Sequence, residues 1–197
     1  MNTMASVSMP FASSLRRLFG NRAMLAGAII LVVVVAAALL APWVAPYAPN
    51  KLSIVNKLKP PSMANFFGTD EFGRDIFSRA IFAGRISLMV SLGVVAISTV
   101  LGVILGVAAG FFRKLDAPIS RLLDAMMSFP DILLAIALVA ALGPSLTTVI
   151  LALGITYAPR LARIIRGSTL VLRELPYIEA AVAMGLPTWQ ILLRHVL

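Results

Sequence analysis

Cysteine is absent from the sequence, and histidine occurs once, at His195. Without cysteine, the chain can form no disulfide and has no thiol nucleophile or thiolate metal ligand. One histidine excludes a multi-histidine metal site within the chain. Charge is scarce too: Asp, Glu, Lys and Arg make up 13% of the residues, and only 8 residues are acidic. We therefore expect no metal and no other cofactor.

Apolar residues fill most of the chain instead. They account for 60% of its 197 residues, and the mean hydropathy is +0.97. Soluble domains are less apolar and more charged. A net charge of +9 on a soluble protein would suggest nucleic acid as a partner. Here the basic residues cluster between apolar runs, so the positive-inside rule explains them better. We expect a lipid bilayer around the chain and no nucleic acid.

The first apolar run predicts a transmembrane helix over residues 24–43, after a basic cytoplasmic segment at 1–23. At about 1.5 Å of rise per residue, it crosses roughly 30 Å of hydrocarbon. A secretory signal peptide is the competing interpretation, since basic residues precede the run and alanines end it. The run is longer than a usual signal core, and interfacial aromatic residues Trp43 and Tyr47 follow it.

Residues 44–82 form the only sizeable polar region, which we assign to the external side. Thr69 or Asp70 is predicted to cap a short amphipathic helix there. Asp75 and Arg79 stand four positions apart and could pair on that helix. The residues alone favour a surface helix leading into the next span over a binding role.

A second span is predicted from about Ile86 to Phe112. Within it, small residues recur every four positions, which allows another helix backbone to approach closely. This pattern is common in membrane helices, so it predicts packing and not chemistry. The stripe consists of Ser98, Gly102, Gly106 and Gly110.

A third segment runs from about Pro118 to Pro144, with an interruption at Pro130. Ser128 and Asp131 have the spacing of a capping box, so the helix is expected to kink or restart there. An ionisable group at membrane depth is often functional, so Asp131 belongs either to a translocation path or to a helix cap. The cap near the cytoplasmic interface is the favoured interpretation. Asp124 is interpreted as a helical neighbour of Arg121.

A fourth span is predicted from about Ser145 to Pro159, and it continues as a basic helix. Its arginines can extend to lipid headgroups or face an acidic partner, and headgroup contact is the more frequent explanation. These residues are Arg160, Arg163 and Arg166. After Pro187, the apolar residues 189–197 are typical of the start of a fifth helix.

The basic residues predict a cytoplasmic N-terminus. In that orientation, eleven of the 17 basic residues lie inside, in residues 1–23, 113–121 and 160–197. The other six lie in the long external stretch and its approach to the second span.

Between the fourth span and Pro187, the sequence predicts a short helix. Pro176 suits a first helical position, Glu179 suits the first turn, and Gly185 suits the left-handed stop. Alanine fills the middle and leaves a smooth face. A small helix with one acid, set in a basic loop, suits a docking element on the cytoplasmic face better than an active site.

This helix resembles the EAA loop of permease subunits in binding-protein-dependent ABC importers, here at about residues 167–190. Glu179, Ala180 and Ala181 are followed, after three residues, by Gly185. In that family, nine residues lead on to an isoleucine-like position, and His195 departs from its apolar preference.

A second motif resembles the external signature of the dipeptide, oligopeptide and nickel branch of these importers. The first apolar run and the turn after it are similar to that branch's second permease subunit, and the resemblance covers the chain from about residue 15. The motif residues are Gly68, Thr69, Asp70, Gly73, Arg74 and Asp75, followed by Ser78 and Arg79.

The resemblance implies an all-α polytopic fold, a type I ABC importer permease-like helical bundle with four complete spans and the start of a fifth. Its core would be residues 83–197, with the family's last spans missing. Partners would be a second permease subunit in a heterodimer, two cytoplasmic ATPase subunits and an extracytoplasmic substrate-binding protein. In the bacterial inner membrane, this complex would move di- or oligopeptides. The alternatives are nickel or another small solute, or a truncated chain that does not transport.

Rival classes fit less well. A secondary transporter would have more ionisable residues deep in its spans than Asp131 alone. A membrane-anchored interaction module would use residues 44–82, and four spans would then be excessive. An intramembrane hydrolase lacks a convincing nucleophile and base. The chain has no Gly-x-x-x-x-Gly-Lys-Ser/Thr loop, so we expect ATP hydrolysis in partner subunits and not here.

Overall fold

The computed structural model describes residues 21–196, with side chains described as far as Arg194. The predictions for residues 1–20, for the His195 side chain and for Leu197 lie outside this part. The described residues divide into two compact units, one up to residue 88 and the other from residue 89 onward. Throughout the described range the regular structure is helical, with one isolated antiparallel bridge between Thr69 and Asp75. The prediction of an all-α fold is confirmed.

In the first unit, helix α1 (Arg22–Leu39) begins where the side-chain oxygen of Asn21 accepts the backbone N–H of Ala23 at 3.0 Å. Its single turn of continuation, α2 (Ala41–Val44), has Pro42 in the first turn, where a missing N–H is tolerated. The predicted first span therefore occurs as a long helix and a short one. The segment that follows, called the external segment after its predicted location, has one 3₁₀ turn, Ile54–Asn56.

Helix α3 (Ile76–Phe111) begins about ten residues before the predicted second span. The cap differs from the prediction, because Asp75 and not Thr69 or Asp70 accepts the N–H of the third following residue, Ser78, at 2.7 Å. The 36 residues of α3 span roughly 54 Å, which exceeds the hydrocarbon thickness of a bilayer.

In the second unit, α4 (Arg113–Met127) and α5 (Asp131–Leu142) meet at a bend of 93°. The interruption expected at Pro130 is confirmed, but the capping box is wrong. Ser128 keeps a helical conformation, and its hydroxyl donates back to the Ala125 carbonyl at 2.6 Å. Pro130 occupies the N-cap, and Asp131 is the first helical residue.

Helix α6 (Leu146–Arg173) begins at Ser145, whose hydroxyl oxygen accepts the N–H of Thr148 at 3.0 Å. It passes through Pro159, as predicted, and continues beyond Arg166. Then follow α7 (Pro176–Ala183) and α8 (Thr188–Ile191), the latter extended by a π turn, Leu192–Val196. Of the helices described, α1, α3 and α6 are long and apolar enough to cross a membrane, and the bent α4–α5 pair gives a fourth if it is one span.

Candidate functional site

Helix α7 has defined ends that follow from its sequence. Pro176 is its first residue, and Gly185, with φ of +77°, follows its last turn. The N–H of Gly185 donates to Val182 O at 3.0 Å, and the N–H of Leu186 donates to Ala181 O at 3.2 Å. These two bonds are those of a Schellman motif, which requires a left-handed residue. The predicted helix and its glycine stop are confirmed.

One face of α7 is buried against other residues of the second unit. Ile178 and Ala181 are each 2% exposed, and they cluster with Ile191 of α8, which is 1% exposed. Phe111, at the end of α3, and Leu186 pack against this cluster. Because its apolar contacts lie on one side only, α7 is a supported element with a second face open.

Outside the buried face, α7 exposes mostly small or apolar side chains, with one acid and the phenol ring of Tyr177. Glu179 and Ala180 are exposed, as are Val182, Ala183 and Met184. Beside it lies a shallow cavity of about 380 Å³, lined by α7 together with Phe111 and Arg173. Small side chains permit the close approach of another protein surface, and the carboxylate gives that approach a direction.

The loop before α7 is tied to the end of α3. The guanidinium of Arg173 donates through Nη1 to the Gly110 carbonyl at 3.0 Å and pairs with the neighbouring carboxylate of Glu174 at 3.1 Å. Arg113 also reaches Glu174, at 3.9 Å. The chain entering α7 is therefore held to the junction between α3 and α4.

The basic stretch of α6 contacts the α4–α5 pair through three ion pairs. Arg160 Nη2 lies 2.6 Å from Asp131 Oδ2, and Arg163 Nη2 lies 2.6 Å from Asp124 Oδ1. The third pair joins Arg166 to Asp116. The sequence favoured headgroup contact for these arginines over an acidic partner and assigned Asp124 to Arg121, and the ion pairs contradict both preferences. The available signal was the number of groups: the three acids on α4–α5 equal the three arginines in residues 160–166 of α6.

The glycine stripe of α3 lies directly against α6. A Cβ added to Gly106 would lie 2.6 Å from Ala162 O, and one added to Gly102 would lie 2.8 Å from the Leu161 Cβ. At Gly110 the nearest atom would be the Thr169 Cβ, at 2.6 Å. Ser98 makes a different contact, because its hydroxyl donates to Val95 O within the same helix.

In the first unit, the external signature folds around Asp70. Its Oδ1 accepts the backbone N–H groups of Phe72 and Arg74, both at 2.9 Å. Its Oδ2 accepts from Arg74 Nε at 2.7 Å and also from Arg79. Partial burial of the carboxylate acts to raise the pKa of Asp70, but the backbone and side-chain bonds from Arg74 and the bond from Phe72 lower it from 3.8 to about 2. The predicted Asp75–Arg79 pair is wrong, because Arg79 binds Asp70.

The other motif residues are buried and bonded within the segment. Thr69 Oγ1 accepts the N–H of Lys59 at 2.8 Å and donates to Asn56 O. Asp75 is 6% exposed, and its carboxylate accepts the Asn65 amide at 2.9 Å. Burial acts to raise the pKa of Asp75, whereas the bonds from Asn65 and Ser78 bring it below its ordinary value.

The two signature glycines have left-handed backbones at crowded positions. Gly68 has φ of +74°, and an added Cβ would lie 2.6 Å from Lys59 O. Gly73 has φ of +69°, and its Cβ would lie 1.8 Å from Ser53 O. The signature residues therefore serve first to hold the external segment in shape.

Two parts of the chain match families of known transport proteins. Residues 98–197 match a family described as "Binding-protein-dependent transport system inner membrane component". Residues 10–61 match the "N-terminal TM domain of oligopeptide transport permease C". Helix α7 lies within the first match. The signature residues 68–79 lie between the two matched ranges.

Three relatives illustrate the similarity. A Brucella abortus protein named as a peptide transport system permease is 45% identical over 188 residues, which cover 95% of this chain and 64% of the relative. The dipeptide transport system permease DppC of Alkalihalophilus pseudofirmus is 38% identical, with 95% and 62% covered. The glutathione transport system permease GsiD of Pectobacterium atrosepticum is 39% identical, with 98% and 64% covered. The chain thus spans a little under two thirds of the length of these relatives.

Proposed function

Because this chain belongs to the family of binding-protein-dependent transport system inner membrane components, we propose that it is a membrane-spanning permease subunit of an ABC importer. In this proposal, α7 is the contact for a separate ATPase subunit on the cytoplasmic side. The spans move when that ATPase changes conformation, by rigid-body shifts of packed helices. Two ATPase subunits, a second permease subunit and an extracytoplasmic binding protein complete the complex.

The observation that carries this proposal is the asymmetry of α7. Its inner face is buried on Ile191 and Phe111 through Ile178 and Ala181, while Glu179 and Ala183 are exposed. A helix that is packed on one side and exposes mostly small or apolar side chains on the other suits a protein contact that passes a movement on to the membrane spans. We place the loop at about 167–190 inside the cell and residues 44–82 outside, with the N-terminus inside, following the distribution of basic residues.

Peptides are the proposed substrates. The relatives described above are named for peptide, dipeptide and glutathione transport, and all of these solutes contain peptide bonds. Nickel or another small solute remains the alternative within the same branch. Uptake of labelled dipeptide, glutathione and nickel by cells with and without the gene would separate the two.

Cross-linking tests the docking surface directly. Since the chain lacks cysteine, Ala183→Cys introduces a single reactive thiol on the exposed face of α7. We expect a bifunctional thiol–amine reagent to join it to the ATPase subunit encoded with this permease, in inside-out vesicles. Ala64→Cys, on an exposed residue of the external segment, is the matched control and should give no such product. Equal yields from both variants, or none from Ala183→Cys in a complex that copurifies intact, would refute docking at α7.

A further inference from the structure

A cavity in the external segment has no role in the proposed coupling mechanism. Its volume is about 330 Å³, near the lower end of the range for small-molecule sites. It is formed entirely by residues 47–75 of the first unit. Most of the residues that line it have polar or charged side chains, among them Tyr47, Lys51, Asn56, Lys59, Asn65 and Asp75. We call it the lysine pocket.

The two lysines of the pocket have no carboxylate partner among the side chains that the structure describes. Lys51 Nζ lies 5.7 Å from the centroid of the Tyr47 ring, a cation–π arrangement. Lys59 Nζ donates to Asn56 Oδ1 at 2.7 Å, which leaves two of its three N–H donors for another acceptor.

Asp75, the acid of the pocket, forms no ion pair with either lysine, although its charge still counts in the lining. Asp75 accepts the Asn65 amide and the Ser78 backbone N–H, and it is 6% exposed. Its carboxylate therefore stabilises the fold of the segment and caps the start of α3. Two lysines against one carboxylate give the lining a formal charge of +1, which suits one negative charge and disfavours a dianion.

The backbone beneath the pocket is held in place before any ligand arrives. The N–H of Lys59 donates to Thr69 Oγ1 at 2.8 Å, and its carbonyl accepts the Thr69 N–H at 3.1 Å. The preceding residue, Leu58, has φ of +52°, which non-glycine residues seldom adopt. Its N–H donates to Asp70 O at 3.1 Å. A pre-formed backbone lowers the ordering cost of binding.

We propose that the lysine pocket binds a small solute through one carboxylate, with Lys51 and Lys59 as the charged donors. An amino acid or the carboxyl end of a dipeptide has this chemistry and a size that fits the volume. The site is separate from α7, so its occupancy does not depend on the ATPase contact being correct.

The four lysines of the chain make a direct test possible, since they are Lys51, Lys57, Lys59 and Lys114. Incorporation of ¹³C,¹⁵N-lysine leaves each ammonium and its three N–H donors unchanged and makes each lysine visible by NMR of the full chain in nanodiscs. Alanyl-alanine is the probe. We expect saturable shifts at Lys51 and Lys59 and none at Lys57 and Lys114. Single Lys→Arg variants assign the signals.

Two further probes establish what is recognised. Alanyl-alaninamide lacks the carboxylate and should bind at least tenfold more weakly than alanyl-alanine. Inorganic phosphate, largely a dianion at pH 7.5, should also bind more weakly. Equal affinity for the amide, or tighter binding of phosphate, would overturn the assignment of a carboxylate. Linear shifts at all four lysines would overturn the site itself.

Variants complete the test with a matched control. The double change Lys51→Gln and Lys59→Gln should weaken alanyl-alanine binding at least tenfold. Lys57→Gln alters an exposed lysine that does not line the cavity and should leave affinity within twofold. Circular dichroism and the Lys114 signal report that each variant remains folded. Equal loss in the double variant and in Lys57→Gln would show a general charge effect and refute the proposal.

Discussion

Arg166 of α6 contacts Asp116 of α4 through two nitrogen atoms. Its Nε lies 2.5 Å from Oδ1, and its Nη2 lies 2.9 Å from Oδ2. Ser120, one turn further along α4, donates to the same carboxylate at 3.1 Å. Both charged side chains are 30% exposed, less than those of the Arg163–Asp124 pair at 53% and 65%. Among the three pairs between α6 and α4–α5, this one has the best-defined geometry.

A double-mutant cycle measures the strength of this pair. We expect a coupling free energy of about 1 kcal/mol between Arg166→Gln and Asp116→Asn, because a bidentate, partly shielded pair exceeds the usual exposed one. The readout is the free energy of unfolding in mixed micelles. Arg163→Gln with Asp124→Asn is the control, with an expected coupling below about 0.5 kcal/mol. A coupling that is larger in the control pair would contradict the ranking.

The contact of α3 with α6 should not tolerate a methyl group at Gly106. In Gly106→Ala, the new Cβ would lie 2.6 Å from the Ala162 carbonyl oxygen, which is backbone and cannot rotate away. We expect a loss of about 1–3 kcal/mol in stability from overpacking, despite the higher helix propensity of alanine. Gly167→Ala on α6 meets nothing within 4 Å and should be neutral or stabilising. If both variants unfold alike, close packing at Gly106 is excluded.

Gly73 should be the least replaceable glycine of the external segment. In Gly73→Ala, strain from a φ of +69° adds to a clash with Ser53 O. We expect faster proteolysis within residues 50–75 and a loss of more than about 2 kcal/mol in local stability. Gly143→Ala isolates the strain, since its φ is +90° and nothing lies within 4 Å of the added atom. A smaller loss of stability at Gly73 than at Gly143 would show that the backbone at Ser53 moves to relieve the clash.

Acid should unfold the external segment only at low pH. Because folding lowers the pKa of Asp70 from 3.8 to about 2, its contribution to stability is complete above pH 3.8 and is lost as the pH falls through about 2. Proteolysis of residues 50–75 by pepsin across this interval measures the loss. Asp70→Asn removes the titrating group, so its susceptibility should vary less between pH 4 and pH 2. An identical profile in both proteins would assign the transition to another group.

Charge reversal on α7 should uncouple solute uptake from ATP hydrolysis by the proposed partner subunit. In cells with the complete transport system, we expect Glu179→Lys to reduce dipeptide uptake at least tenfold with normal membrane insertion, because the charge faces the proposed ATPase contact. Glu71→Lys reverses an exposed acid in the external segment and should retain most of the uptake. Full uptake by Glu179→Lys would remove α7 from the coupling mechanism.

The features that sequence predicted well depend on local backbone preferences. Pro176 and Gly185 mark the ends of α7 because each has a restricted or permissive φ that neighbouring residues do not alter. Side-chain partners were harder to predict. Asp70 binds Arg79, nine positions away, and Asp124 binds Arg163, 39 positions away. Such pairs require segments to approach in three dimensions, and periodicity along one helix cannot indicate that. The ATPase contact at Glu179 stays a prediction.

The cluster of Ile178, Ala181 and Ile191 has a mechanical consequence. Since Phe111 and Leu186 close around it, and Arg173 ties the preceding loop to Gly110, α7 has little freedom to slide or roll on its base. A load applied to its outer face is therefore shared between the terminus of α3 and the chain beyond Pro187. Stiffness at this joint means that a small displacement of α7 reaches both of these segments at once, with little of it absorbed by local bending.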